Sequence, residues 1–168
     1  SLKSDISFEL FPSKFTKSKD VININGLIWM GSEAFMKQQI SDKLEAGFST
    51  IKMKIGAIDF ETELSLLKSI RKDFSSKEIE LRVDANGAWS LDQARVKIRE
   101  LVDFNVSVIE QPCTTLSDCA QVRGLGADIA IDEGIRLSHQ LDDTFIAQIR
   151  DAADLVVLKP IPLGGLQQ

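Results

Sequence analysis

Six short apolar runs recur along the chain: INGLIWM (24–30), STIKMKI (49–55), IELRVDA (79–85), VSVIEQ (106–111), DIAIDE (128–133) and LVVLKP (155–160). Five are rich in valine and isoleucine, and all are short, as strands buried in a parallel sheet should be. Helical periodicity fills the gaps between them. Residues 33–46 place Met36, Ile40 and Leu44 four apart and stop at Gly47, a residue suited to close a helix. Residues 60–74 carry Phe60, Leu64, Leu67 and Phe74 on one stripe. Residues 91–102 carry Leu91, Ala94, Ile98 and Leu101, opened by Ser90 with Gln93 three positions later, a capping box. Weaker helical patterns cover 115–124 and 138–152.

Strand and helix alternating at this pitch predict parallel βα units, an α/β fold. Six strands fit either a doubly wound sheet or most of a (β/α)8 barrel. No glycine-rich phosphate-binding loop follows the first strand, so the nucleotide-binding folds lose support.

Polar residues break the apolar runs at regular places. In STIKMKIG (49–56), Ile51, Met53 and Ile55 alternate with Lys52 and Lys54, so two lysines share one strand face. Asp84 lies near the end of the third run, Glu110 in the fourth, Asp132 with Glu133 in the fifth and Lys159 in the sixth. From Lys54 onward the steps are 30, 26, 22 and 27 residues, each about one βα unit. In a barrel such residues converge on the C-terminal mouth, where active sites of that fold lie. Asp84, Glu110 and Asp132 would repel one another unless a cation sat among them, and three carboxylates are a hard oxygen site suited to Mg²⁺. A metal beside Lys54, with the like charge of Lys52, disfavours the ammonium form and tunes Lys54 as a base. That is the equipment for removing a proton next to a carboxylate. Glu133 reads equally as a turn residue or as a support for the site. Trp29 and Trp89 read as packing residues.

Composition narrows the chemistry. The 168 residues hold one histidine, His139, and no tyrosine, so acid–base work falls to Lys, Asp or Glu and metal binding mostly to oxygen. Cys113 and Cys119, spaced C-x5-C without a second pair, read as reduced thiols rather than a zinc site. A net charge of −5 without a basic block argues against nucleic acid. No apolar run approaches the ~18 residues of a membrane span, and no signal peptide opens the chain. A cytoplasmic protein without membrane partners is the expectation.

The residues of IKMKIG, LRVDANGAW, IEQP, AIDEG and VVLKP, in that order and at barrel spacing, resemble the enolase superfamily in its muconate-lactonising branch. INGLIWMG and GFSTIKMKIGAIDFETELSLLKSIRK are most similar to the o-succinylbenzoate synthases of menaquinone biosynthesis. The likeness runs from about residue 22 to the end. It implies a (β/α)8-type barrel with Asp84, Glu110 and Asp132 as Mg²⁺ ligands. It implies Lys54 as the base, Lys52 as its electrostatic neighbour, and Lys159 as the cation across the ring that steadies the dienediolate. Lys54 would then take the α-proton of a small carboxylate and protonate the departing hydroxyl in a syn elimination of water. Asn86 would support the site, and Gly134 replaces a serine common in the branch.

The resemblance also implies more barrel than is here. About six βα units occupy residues 22–168, and residues 1–21 read as a linker or edge segment leading from a capping domain. Strands seven and eight and that domain are expected in the same parent chain, with an oligomer left open. Activity is accordingly expected of the parent rather than of the 168 residues alone. The same site would also serve an N-acylamino-acid racemase or dipeptide epimerase, with Lys54 and Lys159 working on opposite faces of one carbon. Cycloisomerisation of a muconate and a non-catalytic barrel fragment are the other readings.

Overall fold

The computed structural model describes residues 12–137, 142–159 and 161. Six strands, β1 (Gly26–Ile28), β2 (Thr50–Lys54), β3 (Glu80–Asp84), β4 (Val106–Glu110), β5 (Asp128–Ile131) and β6 (Leu155–Val156), alternate with five helices. These are α1 (Glu33–Glu45), α2 (Phe60–Asp73), α3 (Leu91–Asp103), α4 (Leu116–Val122) and α5 (Asp143–Ala152), with a 3₁₀ turn over Glu133–Leu137 after β5. Every strand pairs in parallel with the next, in the order β1-β2-β3-β4-β5-β6. A doubly wound sheet reverses direction beside its first strand, whereas a barrel adds each strand on the same side. The unbroken order decides between the two: this is barrel topology.

Alternation within the strands creates two faces. Ile51 pairs with Leu81 and Met53 with Val83, and Val83 continues to Ile109 and Ile129. These side chains are fully buried, in one cluster with Met36, Leu67, Ile98, Leu101 and Val122 of the helices. The other face carries Lys52 beside Arg82, then Lys54, Asp84 and Glu110 in one row. The helical layer is thus dry, and the opposite face carries the charges.

Helix starts follow the sequence closely. Ser32, Asp59, Thr115 and Asp142 each accept a backbone N–H in the first turn of the helix they precede. Ser90 and Gln93 form the reciprocal capping box, and such caps are each worth about 0.5–2 kcal/mol. Gly47 follows α1 at a φ of +80°, the left-handed conformation that glycine adopts without strain. The strands are shorter than their apolar runs. β6 ends at Val156, although Val157 still donates to Ile131 O at 2.9 Å, and Lys159 lies beyond it. Residues 12–21 are exposed. His139 and the rest of 138–141, where the last helical pattern begins, lie outside the described residues, as do residues 1–11. Cys113 and Cys119 are buried, free thiols.

Trp89 is a packing residue, 4% exposed and edge-on to Phe60 at 6.1 Å. Trp29 is not. It lies just past β1, is 53% exposed, and its ring faces Lys54. Sequence alone gives a tryptophan in an apolar run no reason to face the charged side. Its alternation with Ile28 supplies that reason once the pairing of β1 with β2 is known.

Candidate active site

The C-terminal ends of β2 to β5 bring the charged residues together. Asp84 closes β3 and is fully buried, and Glu110 closes β4 and is 6% exposed. Asp132 follows β5 directly and is 2% exposed. Carboxylates this deep persist as ions only with partners, and lysines supply them. Asp84 Oδ2 accepts Lys54 Nζ at 2.7 Å and meets Lys52 Nζ at 3.0 Å. Lys52 Nζ also donates to Glu110 Oε2 at 2.6 Å. Lys159 Nζ, on the far side, donates to Asp132 Oδ2. Three lysines therefore face three carboxylates across one mouth.

The electrostatics are unequal within the cluster. Burial pushes the Asp84 carboxyl up, but hydrogen bonds from Lys54 and Lys52 overcome it and hold Asp84 below the usual aspartate range. Burial and then the neighbouring Asp84 charge raise Glu110, with Lys52 only partly offsetting them. Burial works against the Lys52 ammonium, yet bonds to Glu110 and Asp84 outweigh it and raise its pKa. Lys52 is thereby held as a fixed cation between two acids.

Two supporting residues extend this frame. Asn86 is backbone-strained at a φ of +47° and accepts Lys54 Nζ at 2.9 Å on Oδ1. It donates through Nδ2 to Glu133 Oε1 at 3.0 Å, and Arg136 pairs with that same oxygen at 3.6 Å. Glu133 opens the 3₁₀ turn and also reaches Lys54 through Asn86, so the two readings of it coincide.

Gln111, absent from the sequence-based candidates, is the hub beneath the mouth. It is 1% exposed at a φ of +41°. Its Oε1 accepts Asp132 N at 3.1 Å and Gly134 N at 2.9 Å, and its Nε2 donates to Cys113 O at 2.8 Å. Gly134 packs closely: a Cβ there would lie 2.7 Å from Ile131 Cγ2 and 2.8 Å from Leu116 Cδ2, so those side chains would have to shift. Glu63 is a fourth buried acid, on α2 and 1% exposed, accepting Gly56 N at 2.7 Å just past Lys54.

Among the described residues no three carboxylate, histidine or cysteine side chains stand grouped as a ready metal cage. The donors themselves are nonetheless those of a hard-cation site. Asp84, Glu110 and Asp132 offer only oxygen, are almost wholly buried, and already gather positive charge around them. Mg²⁺ fits this donor chemistry.

This fold and this row of strand-end residues define a class. Residues 36–168 match the profile of the Enolase C-terminal domain-like family, and the chain belongs to that family. Among curated relatives it is 42% identical over 162 residues to an o-succinylbenzoate synthase from Desulfotalea psychrophila, covering 94% of this chain and 43% of the relative. It is also 43% identical over 95 residues to an L-Ala-D/L-Glu epimerase from Francisella tularensis subsp. novicida, covering 55% of this chain and 26% of the relative. The crystal structure of MenC from Desulfotalea psychrophila LSv54 superposes with a TM-score of 0.76 at 39% identity, covering 94% of this chain and 44% of that one. The chain thus spans less than half the length of the relatives it matches.

Proposed function

We propose that this chain is the catalytic barrel portion of a Mg²⁺-dependent lyase of the o-succinylbenzoate synthase type, acting in menaquinone biosynthesis in the cytoplasm. The observation that carries the reading is the row Lys54, Asp84, Glu110, Asp132 and Lys159 at consecutive strand ends. Identity of 42% across 94% of the chain to a protein of that name supports it. The proposal takes residues 22–168 as the barrel portion and residues 1–21 as its lead-in. It places the remaining strands and a capping domain in the same polypeptide, since the chain covers 43% of that relative.

In this reading Asp84, Glu110 and Asp132 hold Mg²⁺, with Asn86 and Gln111 keeping Asp84 and Asp132 in place. The metal's contribution is Lewis-acid stabilisation of the negative charge that develops on the substrate carboxylate. Lys54 removes the α-proton with Nζ and then returns it to the leaving hydroxyl on the same face. Lys52 stays protonated between Asp84 and Glu110, so it adds positive potential without competing as a base. Lys159, half exposed on the opposite side, steadies the electron-rich ring from its other face. Asp84 would hold the metal beside Lys54, whose Nζ its Oδ2 accepts at 2.7 Å.

A second reading, epimerisation of a dipeptide or N-acylamino acid, is supported by the 43% identity to an epimerase. It would use Lys54 and Lys159 as alternating bases. Turnover of each substrate class in deuterated water separates the two. A lyase forms o-succinylbenzoate without exchanging the α-proton of dipeptides, whereas deuterium in both epimers of a dipeptide, with no o-succinylbenzoate formed, establishes the second reading and excludes the first.

A further inference from the structure

We propose that Trp29 is the wall of the site that receives the flat, unsaturated ring of the substrate, and that Gln39 is the residue that positions it. The inference rests on Lys54 as the base at this mouth. Leu27 pairs with Lys52 and Ile28 with Met53, so Trp29 continues the Leu27 face alongside Lys54. Both apolar side chains flank lysines that are nearly enclosed. Lys54 Nζ lies 5.6 Å from the centre of the Trp29 ring. The base therefore has an aromatic face within one side chain of it.

The backbone under Trp29 is fixed by a device that the sheet does not require. Strand β1 ends at Ile28. Beyond it, the Trp29 N–H donates to Gln39 Oε1 at 2.9 Å and Gln39 Nε2 donates to Trp29 O at 2.9 Å. One amide side chain from α1 thus satisfies both ends of the residue and sets the direction of its Cβ. A tryptophan held this way presents a rigid aromatic face at low entropy cost. A conjugated ring carboxylate whose α-proton faces Lys54 can stack on that face. A dipeptide without an aromatic side chain gains much less there. The geometry thus selects planar ring carboxylates over aliphatic ones.

The test uses the full-length protein with Mg²⁺, in a Lys54→Ala background that holds ligand without turning it over. The probes are o-succinylbenzoate and succinate, titrated calorimetrically. Trp29→Leu is expected to weaken o-succinylbenzoate binding roughly tenfold and to leave succinate unchanged. Trp29→Phe, which keeps a flat face, should stay within about threefold of the parent. Gln39→Leu should lose several-fold for o-succinylbenzoate only, with an unchanged melting midpoint. Equal losses for both probes, or none for o-succinylbenzoate, overturn the inference while leaving the lyase reading standing. If Lys54→Ala still forms product, the base assignment falls, and failure of the Trp29-intact protein to bind o-succinylbenzoate overturns both.

Discussion

Replacing Gln111 with leucine removes the side chain that joins β4 to the turn after β5. Two buried N–H groups lose their partner, that of Asp132 at 3.1 Å and that of Gly134 at 2.9 Å, and the carbonyl of Cys113 loses its 2.8 Å bond and keeps only the weak Cys119 Sγ donor at 3.5 Å. Gln111 is 1% exposed, so water cannot easily replace it. An abandoned buried polar group costs about 1–3 kcal/mol. Even with partial relaxation the total is on the order of 3–5 kcal/mol, a large part of a typical domain's 5–15. The local cost falls on the Asp132 and Gly134 amides, whose native-state hydrogen exchange should accelerate roughly tenfold to a hundredfold. Because Asp132 is a proposed metal ligand, Mg²⁺ affinity measured by calorimetry should fall by about the same factor. Gln111→Glu keeps an acceptor for both amides but loses the donor to Cys113 O, so its Asp132 and Gly134 amides should exchange more slowly than those of Gln111→Leu. Unchanged exchange at both amides in Gln111→Leu would refute the reasoning.

Three other substitutions probe different parts of the fold. Lys52→Ala leaves Asp84 and Glu110 facing each other with one cation fewer, and should cost about 3–5 kcal/mol in urea unfolding without Mg²⁺; a change under about 1 kcal/mol would show that the pair does not depend on Lys52. Burial raises the Glu63 carboxyl above its ordinary value, with the Gly56 amide only partly opposing it, so the charged form is penalised in the fold. The wild type should therefore lose stability relative to Glu63→Gln as pH rises from about 4.5 through the folded pKa, and a pH-independent difference counts against this. Asp154 shows the opposite sign: burial opposes its charge, but the Ile129 N–H and Arg123 hold it below its ordinary 3.8. The advantage of the wild type over Asp154→Asn should be complete above about pH 4 and disappear as pH falls through the folded pKa, read from thermal midpoints.

The repeating strand and helix pattern was legible because valine, isoleucine and the capping box at Ser90 and Gln93 report local structure directly. The row of strand-end charges was legible for a related reason: a barrel converts a sequence spacing of about one βα unit into a shared height. The residues that escaped notice depend on contacts between units. Gln111 stands beside Glu110 in IEQP, and nothing in its own neighbourhood discloses that its amide reaches Asp132 and Gly134 on the next strand. Its φ of +41° carries no signal in a glutamine. Trp29 looked like core because an apolar run gives no account of which face its last residue takes. Glu63 sits mid-helix among Leu64, Leu66 and Leu67, where an acid normally faces solvent, and only the loop folded over it explains its burial.

The most direct test of the proposed function is turnover by the full-length protein that carries this chain, with and without Mg²⁺, beside its Lys54→Ala form. The account predicts Mg²⁺-dependent formation of o-succinylbenzoate that disappears in the variant while its fold and metal binding persist. No product from a folded, metal-binding wild type would contradict the lyase assignment, and undiminished product from Lys54→Ala would contradict the choice of base.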